Sequence, residues 1–317
     1  MSRWVSDVCP ADQARDPLAL LYQHLPAGKR ERQINRMIES DDPAGRAVRE
    51  GGLLTCHDGD RLVGAMLSLP AAGRVTMAWP PKAAPGISPS VERQVWRSLL
   101  DRCAESARER SSRFIQFLAD ELSPLLDQTL REAGYLHLTQ LVYARRSIDP
   151  NESVPHSPAD LEFIPYADSL QADLMTILEQ SYRQSLDCPE LTGVRSMEDV
   201  VASHQGHGDF DPRRWLLVRR ENKWVGCLLL SAGDGEKVIE ISYVALLPEA
   251  RGQGLGRVLT RQAIRRAWEE GFEAVVLAVD ARNTPALAMY EDEGFTPWDI
   301  REVFWRVLDP ADGRSLE

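Results

Sequence analysis

The feature of the sequence that most constrains the fold is an internal repeat. Residues 114–135 can be placed above residues 274–295 without a gap, and the endings REAGY and EDEGF then coincide. The positions that match at this offset of 160 are Leu99 with Leu259, Ala107 with Ala267, Asp120 with Asp280, and Gly134 with Gly294. Shared order and spacing over so long a stretch are typical of a duplicated unit. We therefore predict two similar domains.

Each half of the chain shows the same series of predicted elements. A strand is followed by a loop, an amphipathic helix, a second strand and a shorter helix that ends at a glycine and an aromatic residue. Between the halves, the stretch IDPNESVPHSPAD has three prolines and no apolar period, which is typical of a linker. We predict an α/β (α+β) fold with a domain at residues 1–148, a linker at 149–160 and a second domain at 161–317.

The two halves differ at the positions suited to chemistry. The second half has three alternating glycines, and its Tyr290 and Asn283 fall on Leu130 and Ser123 of the first half. The glycines and their counterparts are Gly252 with Glu92, Gly254 with Gln94, and Gly256 with Trp96. A gapped alignment that places KAAPGISPS there also lacks the alternating glycines. The first half is therefore predicted to be non-catalytic.

Net charge and cysteine content limit the class of partner. The 317 residues carry a formal net charge of −11, which argues against nucleic acid and anionic membranes, because both normally require a basic surface. Five scattered cysteines without a C-x-x-C pair indicate free thiols in a reducing compartment. The sequence shows neither a signal peptide nor an apolar run of the ~20 residues that span a bilayer. We expect a cytoplasmic protein, of an oligomeric state that the sequence leaves open.

The segment PEARGQGLGRVLTRQAIRR (248–266) provides a local basic patch in this acidic chain. It lies between a predicted strand and a helix, so unpaired amides at the positive end of the helix are available to an anion. Glycines let the backbone curve around that anion and approach it closely. We expect Arg251 and Arg257, which flank the glycines, to contact phosphate. The segment lacks the G-K-[ST] of a Walker loop and the G-x-G-x-x-G of a Rossmann loop.

This segment resembles the acetyl-CoA loop of the GNAT superfamily of N-acetyltransferases, whose pattern is [QR]-x-x-G-x-[GA]. A second signature of that family, N-x2-A-x3-Y-x3-G-F, follows an apolar strand. Its residues here are Asn283, Ala286, Tyr290, Gly294 and Phe295. The similarity covers about residues 161–308. It implies two tandem GNAT-like domains, each a mixed, mostly antiparallel, twisted sheet flanked by helices, of which the second is catalytic.

The resemblance implies acetyl-CoA as a cosubstrate and direct transfer of its acetyl group to a primary amine, without a metal. In that family the strand before the loop offers backbone groups to the pantetheine arm, and the loop amides hold the pyrophosphate. The acetyl-CoA contacts implied here are Val244, Ala245, Leu246, Arg251, Gly252, Gln253, Gly254, Leu255, Gly256, Arg257 and Asn283.

Two residues are predicted to move protons. An alkylammonium group with a pKa of about 10 must lose a proton before its nitrogen attacks the thioester. Strand alternation places Glu240 on one face with Ser242 and Val244, and Glu240 resembles the usual general base of the family; a chain of waters is the alternative. Tyr290 matches the tyrosine that faces the thiol in the family, and we expect it to protonate the leaving thiolate.

The acceptor is an amine whose identity stays open. Asp187, Glu190 and Arg195 lie where the family's first two helices cover the acceptor, and they are candidate contacts. In length and duplication the chain resembles family members that acetylate the cysteinyl amine of a thiol precursor. Another small amine or a peptide N-terminus is equally compatible with the sequence. A non-catalytic acyl-CoA sensor is the alternative function, although it predicts loss of Tyr290 or of the loop.

Two other groups of residues contain side chains that bind metals or act as nucleophiles in other proteins. His204, His207 and Asp211 offer metal-ligand side chains, but they lie in a glycine-rich segment without helical i, i+4 spacing, and we predict a polar loop there. Cys188 has no histidine or evident base near it in sequence, so we do not predict a catalytic thiol.

Overall fold

The computed structural model describes residues 4–151, 158–233 and 237–308, which form two compact units. The first unit contains residues 4–138 and 302–308, and the second lies within residues 139–301. The units therefore divide the chain at other places than the predicted domain boundaries. Of the predicted linker, residues 152–157 lie outside the described residues.

The first half of the chain forms seven strands and five helices in its described part. They are β1 (Val5–Val8), α1 (Arg15–Leu21), α2 (Ala27–Glu39), α3 (Pro43–Arg49), β2 (Leu53–Asp58), β3 (Arg61–Ala71), β4 (Val75–Ala78), β5 (Lys82–Ala83), α4 (Pro89–Glu109), β6 (Phe114–Ala119), α5 (Pro124–Glu132) and β7 (Leu136–Ser147).

The second half forms six strands and four helices among the residues that the structure describes. They are β8 (Leu161–Pro165), α6 (Gln171–Ser181), α7 (Met197–Gln205), β9 (Trp215–Arg220), β10 (Lys223–Ala232), β11 (Val238–Leu246), α8 (Leu255–Glu269), β12 (Ala274–Asp280), α9 (Thr284–Asp292) and β13 (Thr296–Val307).

Each unit contains a mixed sheet in which antiparallel pairs predominate, as predicted. In the first unit the order is β1-β2-β3-β4-β6 followed by the end of β13, and only the described pair β4–β6 is parallel. In the second unit the order is β7-β12-β11-β10-β9-β8, and β11–β12 is the parallel pair. β9 and β10 form a hairpin, with Glu221 and Asn222 at positive φ in its turn.

The final strands of the two halves are exchanged between the units. β13 pairs with β6, with Val307 opposite Phe114, and β7 pairs with β12, with Ser147 opposite Ala274. These two registers are equivalent at the repeat offset of 160. Because the halves repeat the same strand, helix and strand, either final strand fits either sheet. The sequence repeat therefore permits the exchange.

The second unit buries an apolar cluster on each face of its sheet. On one face, α8 packs Leu255, Leu259 and Ile264 onto residues of β10, β11 and β12. On the other face, Leu174 of α6 and Val200 of α7 pack against β9 and β10. Two-sided burial explains the nearly continuous apolar runs of these strands. Among the described residues, no helix is both long and apolar enough to span a membrane.

Candidate active site

The site begins where two neighbouring strands separate. The parallel pairing of β11 with β12 ends at Ile241 and Leu277, although both strands continue beyond these residues. A cavity of about 430 Å³ lies in the wedge between them. The predicted site residues that line it are Val244, Ala245, Leu246, Arg251, Gly252, Gly256, Asn283 and Tyr290. The structure thus brings the loop, the splayed strand and the second signature to one cavity.

A bulge in β11 decides which side chains face each side of the sheet. The register of β11 with β10 shifts opposite Ser242, so one extra residue is inserted there. Ile241 before the bulge and Val244 after it both pack against the cluster beneath α8. The prediction that Val244 shares a face with Glu240 is therefore wrong, because simple alternation does not survive the bulge.

The three glycines of the loop serve two different purposes. Gly252 and Gly254 have φ of +71° and +77°, a region that side chains other than glycine rarely adopt, and no atom lies within 4 Å of a Cβ added to either. Gly256 is already in α8, and a Cβ there would lie 3.0 Å from Sδ of Met289 on α9. The first two glycines shape an open loop, and the third lets α8 approach α9.

Arg251 is engaged by backbone carbonyls rather than facing open solvent. Its guanidinium donates hydrogen bonds to the oxygens of Ser181 (2.6 Å), Arg183 (2.8 Å), Gln184 (3.0 Å) and Leu246 (3.1 Å). It therefore ties the end of α6 to the splayed strand. A role of this side chain in binding phosphate stays a prediction, and in the structure the guanidinium has another function.

Arg257 and Arg261 lie on the first turns of α8 and contact acidic residues at the C-terminal end of α9. Arg257 pairs with Asp292 (2.6 Å) and Glu293 (3.2 Å), and Arg261 pairs with Glu293 (2.8 Å). The positive charge of the local basic patch (248–266) is thus partly neutralised by the acidic residues that follow on the chain. The sequence does not indicate these ion pairs, because Asp292 and Glu293 lie over 30 positions from the arginines.

Next to the loop lies an arginine that sequence reasoning missed. Arg220, the last residue of β9, donates a hydrogen bond to Oε1 of Gln253 (3.2 Å) and pairs with Asp160 (2.9 Å). Gln253 in turn donates to the carbonyl of Glu249 (2.8 Å). The only sequence signal was the pair of arginines that ends the strand WLLVRR. Gln253, Gly254 and Leu255 complete the loop and the start of α8.

The second signature places a capping residue and a phenol at the same cavity. Asn283 is the N-cap of α9, and its side chain accepts a hydrogen bond from the amide of Ala286. Tyr290, two turns later, is 9% exposed and packs edge-on against Phe295. Burial, together with the charge of Asp187, raises the pKa of Tyr290 well above its usual range. The phenol therefore stays protonated at neutral pH.

Glu240 lies on β11 before the bulge, where it contacts a histidine. Its carboxylate lies 2.9 Å from Nε2 of His207, and its side chain is 34% exposed. The hydrogen bond to this carboxylate raises the pKa of His207. The sequence predicts only a polar loop at His207, and nothing in the local sequence indicates this pairing across 33 positions.

Of the three candidate acceptor contacts, Asp187 lines the cavity. Burial raises the pKa of Asp187, and its Oδ1 accepts a hydrogen bond from the amide of Asp280 (3.1 Å). Glu190 instead forms a two-pronged ion pair with Arg282, at 2.6 and 3.0 Å. Arg195 donates to the carbonyl of Asp199 on α7 (2.9 Å) and to the hydroxyl of Ser203.

Asp280 at the end of β12 anchors the segment that contains Asp187. Its fully buried carboxylate accepts hydrogen bonds from the hydroxyl of Thr139 (2.6 Å), the amide of Cys188 (3.0 Å) and the side chain of Arg282. Burial alone would raise the pKa of Asp280, but these bonds outweigh it and lower the pKa to about 2. The sequence marked Asp280 only as a repeated position.

One group in the described part of the chain has metal-ligand spacing. Ligand atoms of Asp187, Cys188 and Asp280 lie within 4.8 Å of one another. Both carboxylates already accept hydrogen bonds from backbone amides in this group, and burial raises the pKa of the Cys188 thiol. These hydrogen bonds indicate that the three residues anchor the segment at Asp187 to the end of β12.

Comparison with known proteins agrees with this geometry. Residues 175–295 match the Acetyltransferase (GNAT) family. This part of the chain is a GNAT acetyltransferase domain. The matched range contains the splayed strands, the glycine loop and the second signature, which are the elements that form the cavity. The resemblance predicted from the two signatures is therefore confirmed.

One relative resembles most of the chain, and others resemble about a third of it. The chain is 26% identical to the mycothiol acetyltransferase of Kocuria rhizophila over 92% of its own length and 95% of that protein. The mycothiol acetyltransferase of Arthrobacter sp. (strain FB24) is 48% identical, over 33% of this chain and 34% of that protein. The protein is an N-acetyltransferase, and acetyl-CoA is its acetyl donor.

Solved structures share the whole fold at low sequence identity. A GCN5-related N-acetyltransferase from Sphaerobacter thermophilus superposes with a TM-score of 0.60 at 16% identity, over 98% of this chain and 97% of that one. A tandem GNAT protein from the clavulanic acid biosynthesis pathway has a TM-score of 0.51 at 16% identity, over 98% of this chain and 100% of that one. These similarities confirm the predicted tandem GNAT fold.

Proposed function

We propose that the second half of the chain transfers the acetyl group of acetyl-CoA directly to a primary amine, and that the first half is non-catalytic. The observation that carries this proposal is that Tyr290, the glycine loop and the end of β11 that has separated from β12 all line one cavity. A thioester held by the loop and the strand would lie beside a buried phenol. No other described region combines these three parts.

The loop and strand are suited to the donor. The open, left-handed backbone at Gly252 and Gly254 leaves room for a diphosphate beside the amides that begin α8. Beyond Ile241 the edge of β11 is released from β12, so its backbone groups from Val244 to Leu246 can pair with the amides of a pantetheine arm. Asn283 lies at the other wall of the same cavity.

The reaction needs a base for the amine and an acid for the thiolate. We assign the base to Glu240, either in direct contact with the amine or through a water chain, and the acid to Tyr290. The free amine attacks the thioester carbonyl, and a backbone N–H near Ala245 or Leu246 stabilises the oxyanion. When the C–S bond breaks, Tyr290 donates its proton to the sulfur. Its raised pKa keeps this proton on the phenol at neutral pH until the thiolate forms.

We infer that the acceptor is a small amine that enters the cavity with a cationic group. Asp187 places a carboxylate in the cavity wall, where it suits an ammonium group before deprotonation. The names of the relatives favour the cysteinyl amine of a mycothiol precursor among such amines. A peptide N-terminus has the same chemistry and stays an alternative. All five cysteines are free thiols, which supports a cytoplasmic location.

The test is a turnover assay of the full chain with acetyl-CoA. The acceptors are the cysteinyl-amine precursor of mycothiol, putrescine and a peptide with a free N-terminus, and mass spectrometry identifies the acetylated product. We expect one of these amines to be acetylated. Tight binding of acetyl-CoA in calorimetry without acetylation of any amine would favour a non-catalytic acyl-CoA sensor. Absence of acetyl-CoA binding would overturn the proposed function altogether.

A further inference from the structure

A histidine outside the two family signatures contacts the proposed base. Nε2 of His207 lies 2.9 Å from Oε2 of Glu240, and the side chains are 55% and 34% exposed. The pair therefore lies at the protein surface beside the splayed strand, where protons exchange with water. The carboxylate accepts, and the imidazole in its neutral form donates through Nε2–H.

The loop that carries His207 is held in place by the neighbouring strand. Gly208 has φ +65°, and a Cβ there would lie 2.5 Å from the carbonyl oxygen of Ala232 on β10. The amide of Asp209 donates to the same oxygen at 2.9 Å. Only glycine permits this close approach, which places His207 beside Glu240 on the next strand. The arrangement is built into the backbone rather than formed by two mobile side chains.

The surroundings of His207 contain few other charges. Next to it on α7, His204 is neutral near pH 7, because burial lowers its pKa to about 4, with a further contribution from Arg195. Asp209 follows in the same loop. Glu240 on β11 is the charged group in contact with His207, and the hydrogen bond between them raises the pKa of His207 above its usual 6.5. His207 is thus the residue of this cluster that changes charge around neutral pH.

We propose that His207 is a positioning residue for the base: its neutral imidazole orients the carboxylate of Glu240, and its protonation switches that base off. In the neutral form, one N–H···O bond fixes the carboxylate and stabilises its charge. A second proton, taken up at Nδ1 from water, makes the imidazole a cation. The cation attracts the negative charge of Glu240 and so weakens it as a proton acceptor. This inference rests on the proposed function.

The pH dependence has a definite sign. Because the pKa of His207 is raised, the imidazole is charged up to a higher pH than an ordinary histidine, and kcat falls as pH drops through that raised pKa. His207→Gln keeps an N–H donor for Glu240 but cannot become charged. We expect His207→Gln to retain kcat within about threefold at pH 8.5 and to shift the acid limb by about one pH unit or more to lower pH.

A second variant separates the effect of orienting the Glu240 carboxylate from the effect of the charge on His207. His207→Phe keeps an aromatic ring and removes the hydrogen bond, and we expect kcat to fall about tenfold at pH 8.5 with unchanged affinity for acetyl-CoA. Because phenylalanine cannot become charged, its acid limb should shift to lower pH as in His207→Gln. His24→Gln changes an exposed histidine of the first unit and is the matched control, with a wild-type profile. The acceptor's own ammonium titrates equally in all variants, so the difference between profiles reports His207.

A measurement without turnover completes the test. The imidazole of His207 is titrated by NMR in the wild-type protein and in Glu240→Gln, and the pKa should fall toward about 6.5 when the carboxylate is lost. An acid limb that stays in place in His207→Gln, or an unchanged His207 pKa in Glu240→Gln, overturns the inference. Lack of any wild-type turnover instead refutes the proposed function, so the two failures are distinguishable.

Discussion

The two halves of this protein begin their long helices differently at equivalent positions. α8 and α4 end at Glu269 and Glu109, which coincide in the repeat, yet α4 begins more than one turn earlier. Glu92 and Gln94, the counterparts of Gly252 and Gly254, therefore lie inside α4. There the backbone amides are used within the helix, as in the 2.8 Å bond from Glu92 to the carbonyl of Ser88. The glycine loop of the second half, which we propose binds an anion, is therefore replaced in the first half by an earlier start of the helix.

Tyr290, the proposed catalytic acid, offers the strongest test of this difference. Tyr290→Phe should lower kcat by about 100-fold or more while acetyl-CoA affinity stays unchanged, because the acid is lost and the ring is kept. Turnover and calorimetry measure the two effects. The control is Leu130→Met, a volume-conserving change at the equivalent position of the first unit, which should leave kcat unchanged. Wild-type turnover in Tyr290→Phe would remove Tyr290 from the mechanism.

The next largest effect is expected for a substitution at the left-handed backbone of the glycine loop. Gly254→Val should weaken acetyl-CoA binding by about 10- to 100-fold, since a β-branched residue at φ +77° forces the loop to rearrange. Gly271 has φ +76° with equally open space but lies at the other end of α8, so Gly271→Val carries the same strain without touching the loop. Equal affinity of the two variants for acetyl-CoA in calorimetry would argue against the loop as the diphosphate site.

Asp280 and its counterpart Asp120 should differ in their effect on stability. Since the pKa of Asp280 is lowered from 3.8 to about 2, its ionised form stabilises the folded state above pH 4, and that contribution is lost as pH falls through about 2. Asp280→Asn should lower the free energy of unfolding by about 2 kcal/mol at pH 7.

Denaturant unfolding measures this effect. Asp120 is exposed, and Asp120→Asn should change the unfolding free energy by less than about 0.5 kcal/mol. The difference between wild type and Asp280→Asn should shrink in titrations taken below pH 4. A constant difference down to pH 2 would show that packing, rather than the charge of Asp280, is responsible.

The smallest effect is expected at Arg251, whose counterpart in the first half is Val91. Arg251→Lys removes the planar fork that holds four carbonyl oxygens, so the end of α6 and the segment after it lose their anchor. We expect KM for the amine to rise about fivefold and KM for acetyl-CoA to change less. If the acetyl-CoA KM rises more, Arg251 acts on the phosphate as the sequence suggested.

The parts of the site that could be predicted from the sequence are those built from local motifs. The loop glycines and the Asn283 cap depend on residues within a few positions of one another, so their spacing carried the signal. Contacts between distant segments left no such signal. The pairing of Glu240 with His207 and that of Arg257 with Asp292 each join elements that are far apart in sequence. The bulge at Ser242 likewise arises from pairing with β10, and it turned Val244 to the unexpected face.

The sequence by itself determined the duplicated order of elements, the helix start at the glycines and the absence of these glycines from the first half. These properties follow from turn geometry, capping and apolar periodicity, which act over short distances along the chain. Only the tertiary structure decided that β7 and β13 exchange places, that Arg251 binds carbonyls and that Asp187 reaches the cavity. Those outcomes depend on which strands become neighbours, and two halves so alike in pattern leave that choice to packing.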